Sequence, residues 1–221
     1  MSTIAILPFP LLPALAGDVT EPVPSGRTAP AMSTLADGAL LERVARGDAD
    51  AFTVLYRRFE RPIFAMLVRL ASGRRALAEE WLQEAFTRVW LAAGTHDPSR
   101  GEVRPWLYKV ALNTARSEMA RKRFRTHHVS LDESGLDLPG EGGGEILARL
   151  EEERQVSAVT RALQELPDFM REVVVLRCSR ELTFAEIAEV TGAPQGTLKS
   201  RFHRAVAALR EAVARSEGTK P

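Results

Sequence analysis

The amino-acid sequence predicts an all-α protein of two small helical domains joined by a flexible acidic linker. From Asp37 onward, apolar residues recur at spacings of three and four, and no strand-like alternation of useful length appears. Residues 129–153 break this pattern with glycines, a proline and eight acidic residues against one arginine, which is typical of a linker. A second helical pattern follows. The expected boundaries are a disordered N-terminal extension at 1–36, a first domain at 37–127, the linker at 128–147, a second domain at 148–215 and a tail at 216–221.

Four helices are predicted in the first domain. The second of them carries an apolar stripe from Phe52 to Leu70 that needs other helices to cover it. The expected spans are roughly 38–46, 48–70, 76–93 and, after a turn at 96–101, a helix that ends near residue 125.

The second domain is predicted to contain a helix-turn-helix. Its expected helices cover about 145–165, 168–179, 184–191 and 194–215. Thr183 and Glu186 have the spacing of a capping box, which satisfies backbone N–H groups at a helix start. Gly192 is placed to end that short helix, and Pro194 lies where the next helix can begin. A short helix, a glycine-containing turn and a basic second helix are the arrangement that places a recognition helix in a DNA major groove.

The last helix separates into an apolar face and a polar face. At 100° per residue, Leu198, Phe202 and Ala205 fall on the apolar face. The opposite face and its flanks hold the candidate DNA contacts Lys199, Ser200, Arg201, His203 and Arg204. Arg204 is the best candidate for a bidentate guanine contact, and the flanking cations suit phosphates. The alternative is a solvated helix face that merely carries cations.

The fourth helix is strongly basic. Between residues 104 and 128 it holds seven Lys or Arg residues against one Glu, and Trp106, Tyr108 and Phe124 are interleaved with them. Cations mixed with aromatic rings suit a partly single-stranded nucleic acid, because unpaired bases stack on the rings. The alternative assigns Trp106 to the core and the arginine cluster to a solvated helix end that the helix dipole favours.

The third helix has an acidic surface that is unsuited to DNA. Its polar positions include Glu79, Glu80, Gln83, Glu84 and Arg88. This surface is either ordinary solvated surface or a docking face for a basic protein partner.

The composition excludes several classes of protein. Cys178 is the only cysteine, so an intramolecular disulfide and a cysteine-based zinc cluster are impossible, which favours a reducing compartment. We expect Cys178 to be a small buried hydrophobe, and the alternative is a redox role. Residues 4–16 are apolar, but three prolines interrupt them and no Lys or Arg precedes them, so neither a secretory signal nor a membrane span is expected. Either Met1 or Met32 is a plausible first residue of the cellular protein.

No nucleophile–base pair or phosphate-binding loop is evident in the sequence, so we expect no enzyme activity, metal or cofactor. We also expect a cytoplasmic location.

Four segments of the sequence together resemble the extracytoplasmic-function (ECF) sigma factors of the sigma-70 family. The segments are AEEWLQEAFTRVW (78–90), HDPSRG (96–101), PWLYKVALNTARSEMARKR (105–123) and LPDFMREVVVLRCSRELTFAEIAEVTGAPQGTLKSRFHRAVAALRE (166–211). They are similar to sigma regions two and four, in the family's order and spacing. The resemblance covers about 40–125 and 150–213 and leaves the extension and the linker unmatched.

The resemblance implies a transcription initiation factor that binds core RNA polymerase and promoter DNA. It implies contact with the polymerase β′ clamp helices through Leu82, Gln83, Glu84 and Arg88. It also implies contact with the minus-ten element through Asn113, Arg116, Arg121, Lys122 and Arg123, with an extruded base held near the turn at 96–101. The recognition-helix residues named above would read the minus-thirty-five element. The implied partners further include the β flap and an anti-sigma factor, and the linker would follow the RNA exit path.

Two other classes of function compete with this interpretation. A conventional helix-turn-helix regulator with a helical sensing domain would bind duplex DNA without polymerase, dimerise and contain a small-molecule pocket. The separate basic and acidic surfaces of the first domain argue against it. An all-α enzyme or a pure interaction module, such as a mimic of a sigma factor, is the third class. A mimic should lack the basic promoter-facing residues, which are present in this sequence.

Overall fold

The computed structural model describes residues 32–126, 159–178 and 182–218, and every regular element within these ranges is helical. The first unit consists of α1 (Asp37–Ala45), α2 (Ala49–Leu70), α3 (Arg75–Ala92) and α4 (Val103–Thr126), with short 3₁₀ turns at Ala93–Thr95 and Pro98–Arg100. The second unit consists of α5 (the helical segment 159–165), α6 (Asp168–Cys178), α7 (Phe184–Thr191) and α8 (Gln195–Gly218). The predicted all-α class is confirmed, while the predicted linker at 128–147 lies outside the described residues.

Two predicted boundaries differ from the structure. Met32 is only 8% exposed and belongs to the core, so ordered structure begins inside the predicted N-terminal extension. Arg58 holds this segment on α2, because its guanidinium donates to the Ser33 carbonyl and pairs with Asp37. At the other end, α8 continues to Gly218, three residues into the predicted tail.

The helices of the first unit pack in chain order, α1 on α2, α2 on α3 and α3 on α4. The apolar stripe of α2 is buried, as its spacing predicted. Asp48 begins α2, because its carboxylate accepts the backbone N–H groups of Asp50 and Ala51 at 3.1 and 3.0 Å. Burial raises the pKa of Asp48, but these hydrogen bonds and the ion pair with Arg43 outweigh it, so the pKa lies below its ordinary value.

The helix-turn-helix of the second unit forms as predicted. The Thr183 hydroxyl accepts the Glu186 N–H at 3.2 Å, and the Glu186 carboxylate accepts the Thr183 N–H at 2.6 Å, which completes the capping box. Gly192 ends α7 with φ of 75°, a left-handed conformation that glycine adopts without a Cβ clash.

One apolar core cluster extends through both units, and a second, smaller cluster of Leu163, Leu166, Val174 and Ala205 lies within the second unit. Val173, Leu176, Ile187 and Leu198 of the second unit belong to the same buried cluster as Leu107 of α4. Accordingly α7 packs on α4, and α6 packs on α2. Because the cluster is continuous, the two units form one closed body in this structure. None of the described helices combines the length and the apolar character that a bilayer-crossing segment requires.

Candidate nucleic-acid interface

The recognition helix α8 has the two faces that the sequence predicted. Leu198 and Ala205 are fully buried, and the Phe202 ring packs edge-on against Phe184 of α7 with centroids 5.7 Å apart. The residues on the opposite side are exposed, and they are Lys199, Ser200, His203 and Arg204. The packing of Phe202 fixes the rotation of α8 on α7, so the basic face points away from the core.

Arg201 is oriented differently from its neighbours. Its guanidinium carbon lies 5.0 Å from the ring centroid of Phe169, an exposed aromatic residue near the start of α6. Such a cation–π contact contributes roughly 0.5–1 kcal/mol at an exposed site. Arg201 therefore lies at the flank of the face, where a phosphate contact is more accessible than a base edge. Apolar periodicity and spacing did not identify Phe169 as the partner of Arg201.

The candidate residues on α4 have three different environments. Asn113 is exposed on α4. Arg116 donates two hydrogen bonds, of 2.8 and 2.6 Å, to the carboxylate of Glu172 in the second unit. The hydrogen bond to Glu172 raises the pKa of Arg116. Arg121 pairs with Glu118 on its own helix at 2.6 Å. The side chains of Lys122 and Arg123 lie outside the described part of the chain.

The turn between α3 and α4 borders an open cleft. The Asp97 carboxylate accepts the backbone N–H of Ser99 at 2.9 Å and so fixes the turn. The His96 ring lies edge-on to Trp106, with centroids 5.6 Å apart. Trp106 is partly buried against the core, as the core interpretation expected. The cleft has a volume of about 290 Å³ and is lined by α1 and by residues 93–98, including His96 and Pro98.

The acidic surface of α3 requires one correction. Leu82 is only 6% exposed, because it shares a face with Ala78, Ala85 and Phe86 that packs into the core. It is therefore not part of the exposed surface. Gln83 and Glu84 are exposed, and Arg88 pairs with Glu84 at 2.8 Å.

Leu91 is an exposed residue on this surface that the sequence reasoning missed. It is 72% exposed and lies seven residues after Glu84, two helical turns along the same face. Its spacing of seven residues from Glu84 could have identified Leu91 as part of this surface.

Cys178 also differs from the prediction, because it is the last residue of α6 and its side chain is exposed rather than buried.

Comparison with known proteins defines the class. The model described as Sigma-70 region 2 matches residues 55–125, and the model described as Sigma-70, region 4 matches residues 162–211. The first match ends in α4, and the second contains the helix-turn-helix. This is a protein of the sigma-70 class.

Individual relatives define the group within that class. The ECF RNA polymerase sigma-E factor of Escherichia coli (strain K12) is 33% identical over 185 residues, which cover 79% of this chain and 93% of the relative. The RNA polymerase sigma-H factor of Pseudomonas aeruginosa is 30% identical over 186 residues, which cover 80% and 93%. The chain belongs to the ECF sigma factors, so it is a transcription initiation factor and not an enzyme.

Two solved structures share the fold. CnrH, in complex with the cytosolic domain of CnrY, superposes with a TM-score of 0.59 at 25% identity, over 83% of this chain and 99% of that chain. The sigma factor RpoE of Bartonella quintana, in complex with the anti-sigma factor NepR, has a TM-score of 0.55 at 21% identity, over 72% and 95%.

Proposed function

We propose that the exposed face of α8 reads the minus-thirty-five promoter element. The observation that carries this proposal is the separation of the faces: Leu198 and Ala205 are fully buried, while Lys199 and Arg204 are exposed. An exposed guanidinium at the centre of the face can donate two hydrogen bonds to a guanine edge. Lys199 and Arg201 lie at the flanks and contact phosphates, while Ser200 and His203 complete the surface.

The minus-ten element is contacted by α4 and by the turn before it. Asn113 is exposed on α4, and the cleft beside His96 and Pro98 lies next to the turn where an extruded base would be held. Unstacking a base costs a few kcal/mol, which contacts in such a site must offset. Arg116, together with the arginine and lysine residues at 121–123, supplies the positive charge that attracts the DNA backbone.

Core RNA polymerase binds the acidic surface of α3 through its β′ clamp helices. Gln83, Glu84 and Arg88 form this contact, and Leu82 is excluded because it is buried. The second unit contacts the β flap. In this assignment residues 37–127 engage the clamp and the minus-ten element, and residues 148–215 engage the minus-thirty-five element.

An anti-sigma partner controls the factor, which acts in the cytoplasm, where RNA polymerase is found. The support for a partner is that CnrH was solved with CnrY and the Bartonella quintana factor with the anti-sigma factor NepR.

Run-off transcription with core RNA polymerase on promoters from the source genome tests the proposal. We expect promoter-specific transcripts that Arg204→Ala and Glu84→Ala abolish or strongly reduce. Two controls should leave transcription intact. Arg215→Ala removes an exposed cation about 16 Å further along α8. Glu79→Ala removes an exposed carboxylate that lies about 140° around α3 from Glu84, outside the contact assigned to Gln83, Glu84 and Arg88. Absence of transcripts, combined with a shift of duplex DNA by the protein alone, would instead support the conventional regulator.

A further inference from the structure

Phe169 is a large side chain whose position the apolar core does not explain. It is the second residue of α6 and is 45% exposed. Its neighbour Met170 packs against the smaller apolar cluster of the second unit, whereas Phe169 belongs to neither cluster of the described residues. Single exposed apolar residues are common on protein surfaces, so exposure alone gives Phe169 no role. A role has to follow from what its ring contacts.

The ring of Phe169 contacts the guanidinium of Arg201. The Cζ atom of Arg201 lies 5.0 Å from the ring centroid, inside the limit of about 6 Å for a cation–π contact. Among the residues that the structure describes, no carboxylate pairs with Arg201. A carboxylate occupies N–H donors, as Glu118 does on Arg121, whereas a ring attracts the charge and leaves the N–H donors available. Arg201 is therefore held in place and can still donate hydrogen bonds.

The start of α6 gives this ring a rigid support. The Arg171 guanidinium pairs with Asp168 at 3.3 Å. It also donates hydrogen bonds of 2.8, 2.8 and 2.9 Å to the carbonyl oxygens of Leu163, Gln164 and Leu166. These contacts join the end of α5 and the turn after it to the first turn of α6. The backbone that carries Phe169 is therefore fixed.

Arg201 lies at the edge of the recognition face. It is partly buried, while Lys199 and Ser200 before it are exposed. At 100° and 1.5 Å per residue, Arg201 is about 60° around α8 and about 4.5 Å along it from Arg204. A guanidinium at this edge is placed for a phosphate beside the groove that Arg204 faces.

Holding the guanidinium in advance favours such a phosphate contact. An exposed arginine has many rotamers and loses this freedom when a phosphate fixes it. A side chain that is already held loses less, so less of the binding free energy is offset. The attraction between an exposed cation and a ring corresponds to about a two- to fivefold change in an equilibrium constant.

We propose that Phe169 is a positioning residue for the minus-thirty-five contact, whose ring holds the guanidinium of Arg201 ready for a DNA phosphate. Phe169 acts through Arg201 and contacts neither a base nor the polymerase. The inference rests on the proposed function, because it deepens the phosphate contact assigned to Arg201. The contact between ring and guanidinium is itself a property of the free chain.

Variants of the full chain separate the ring from the bulk of the side chain. Phe169→Leu removes the ring and keeps an apolar side chain, while Phe169→Tyr keeps a ring. Arg201→Ala is made alone and together with Phe169→Leu. Val159→Ala is the matched control, because Val159 is an apolar residue of α5 that is 43% exposed. All of these side chains are partly exposed, so the thermal midpoints should stay close to that of the wild type.

The functional measurement is the affinity of each holoenzyme for a labelled promoter fragment at several salt concentrations. Arg201→Ala should reduce the slope of log K against log salt by about 0.9. Phe169→Leu should weaken binding about two- to fivefold, whereas Phe169→Tyr and Val159→Ala should match the wild type. In the Arg201→Ala background, Phe169→Leu should cause no further loss, because the ring acts through that guanidinium.

Nitrogen-15 NMR of the free chain detects the contact without polymerase or DNA. The Arg201 Nε–Hε resonance, identified by its absence in Arg201→Ala, should be displaced by the ring current of Phe169. Phe169→Leu should return it to the position of an unstacked arginine, and Phe169→Tyr should keep it displaced.

Promoter affinity that is unchanged in Phe169→Leu, while Arg201→Ala weakens it, would overturn the positioning role and leave the proposed function standing. An equal loss from Phe169→Leu with and without Arg201 would also overturn it, because the ring would then act directly on DNA or polymerase. An Arg201 resonance that does not respond to Phe169→Leu would do the same. Absence of promoter binding by the wild-type holoenzyme would instead reject the proposed function, and the positioning role with it.

Discussion

The capping box at Thr183 offers a direct test of how the helix-turn-helix is held together. Thr183→Ala removes the hydroxyl that accepts the Glu186 N–H at 3.2 Å, while the reciprocal bond from the residue-183 N–H to the Glu186 carboxylate, at 2.6 Å, can persist. Helix α7 has only 8 residues, so few other bonds compensate for the lost cap.

Thr183→Ala loses one of the two hydrogen bonds of the capping box. The expected destabilisation is therefore about 1 kcal/mol, in the middle of the range for N-cap threonines. For a chain of this size, 1 kcal/mol lowers Tm by about 2–4 °C. Thr183→Ser keeps an oxygen in the same place and should remain within a few tenths of a kcal/mol of the wild type.

Urea unfolding followed by far-UV circular dichroism measures the difference. The reasoning requires the midpoint of Thr183→Ala to lie below that of Thr183→Ser with an unchanged m-value. Equal midpoints for the two variants would refute it, because the hydroxyl would then contribute nothing to the start of α7.

Three further predictions concern packing, acid and salt. Leu198→Ala should destabilise the fold by about 2–5 kcal/mol because Leu198 is fully buried, whereas Leu91→Ala at a 72% exposed site should change it by less than about 0.5 kcal/mol. Denaturation midpoints for the pair check this, and similar losses would contradict it. The folded pKa values of Asp48 and Glu186 lie below their ordinary 3.8 and 4.5, so the stabilisation that they provide is present above these values and lost as pH falls through the folded pKa values. Unfolding free energies from pH 7 to pH 3 should decline less in Glu186→Gln, and parallel curves would argue against this. In the polymerase complex, Lys199→Ala should reduce the slope of log K against log salt by about 0.9, and an unchanged slope would remove its phosphate contact.

Much of the local structure could be predicted because it depends on neighbouring residues in the sequence. The stripe of α2, the capping box at Thr183 and the αL glycine at Gly192 each rest on residues within a few turns of one another, and all three are confirmed. The faces of α8 follow from the same periodicity. Local spacing contains this information because a helix buries one stripe whatever its partner is.

Contacts between distant segments could not be predicted in this way. In the sequence, Glu172 is one more polar position on α6. In the structure, its carboxylate accepts a hydrogen bond from Arg116, 56 residues away in the sequence. Leu82 was assigned to the surface by resemblance, although its neighbours at three and four residues place it in the core. Cys178 lies at the end of an apolar run, and only the position where α6 ends exposes it. Tertiary packing decides these outcomes, and the periodicity of apolar residues contains no information about which helices pack together.

The Glu186 carboxylate has two structural roles that a substitution can separate. One carboxylate oxygen caps α7 through Thr183, and the other pairs with Arg104 of the first unit. Replacement of Glu186 by glutamine keeps the cap of α7 and loses the ion pair with Arg104. Across related sequences, residue 183 should therefore remain Ser or Thr wherever residue 186 is Glu or Gln. Residue 104 should remain basic only where residue 186 is acidic, so covariation between 104 and 186 would identify the lineages that have kept the ion pair.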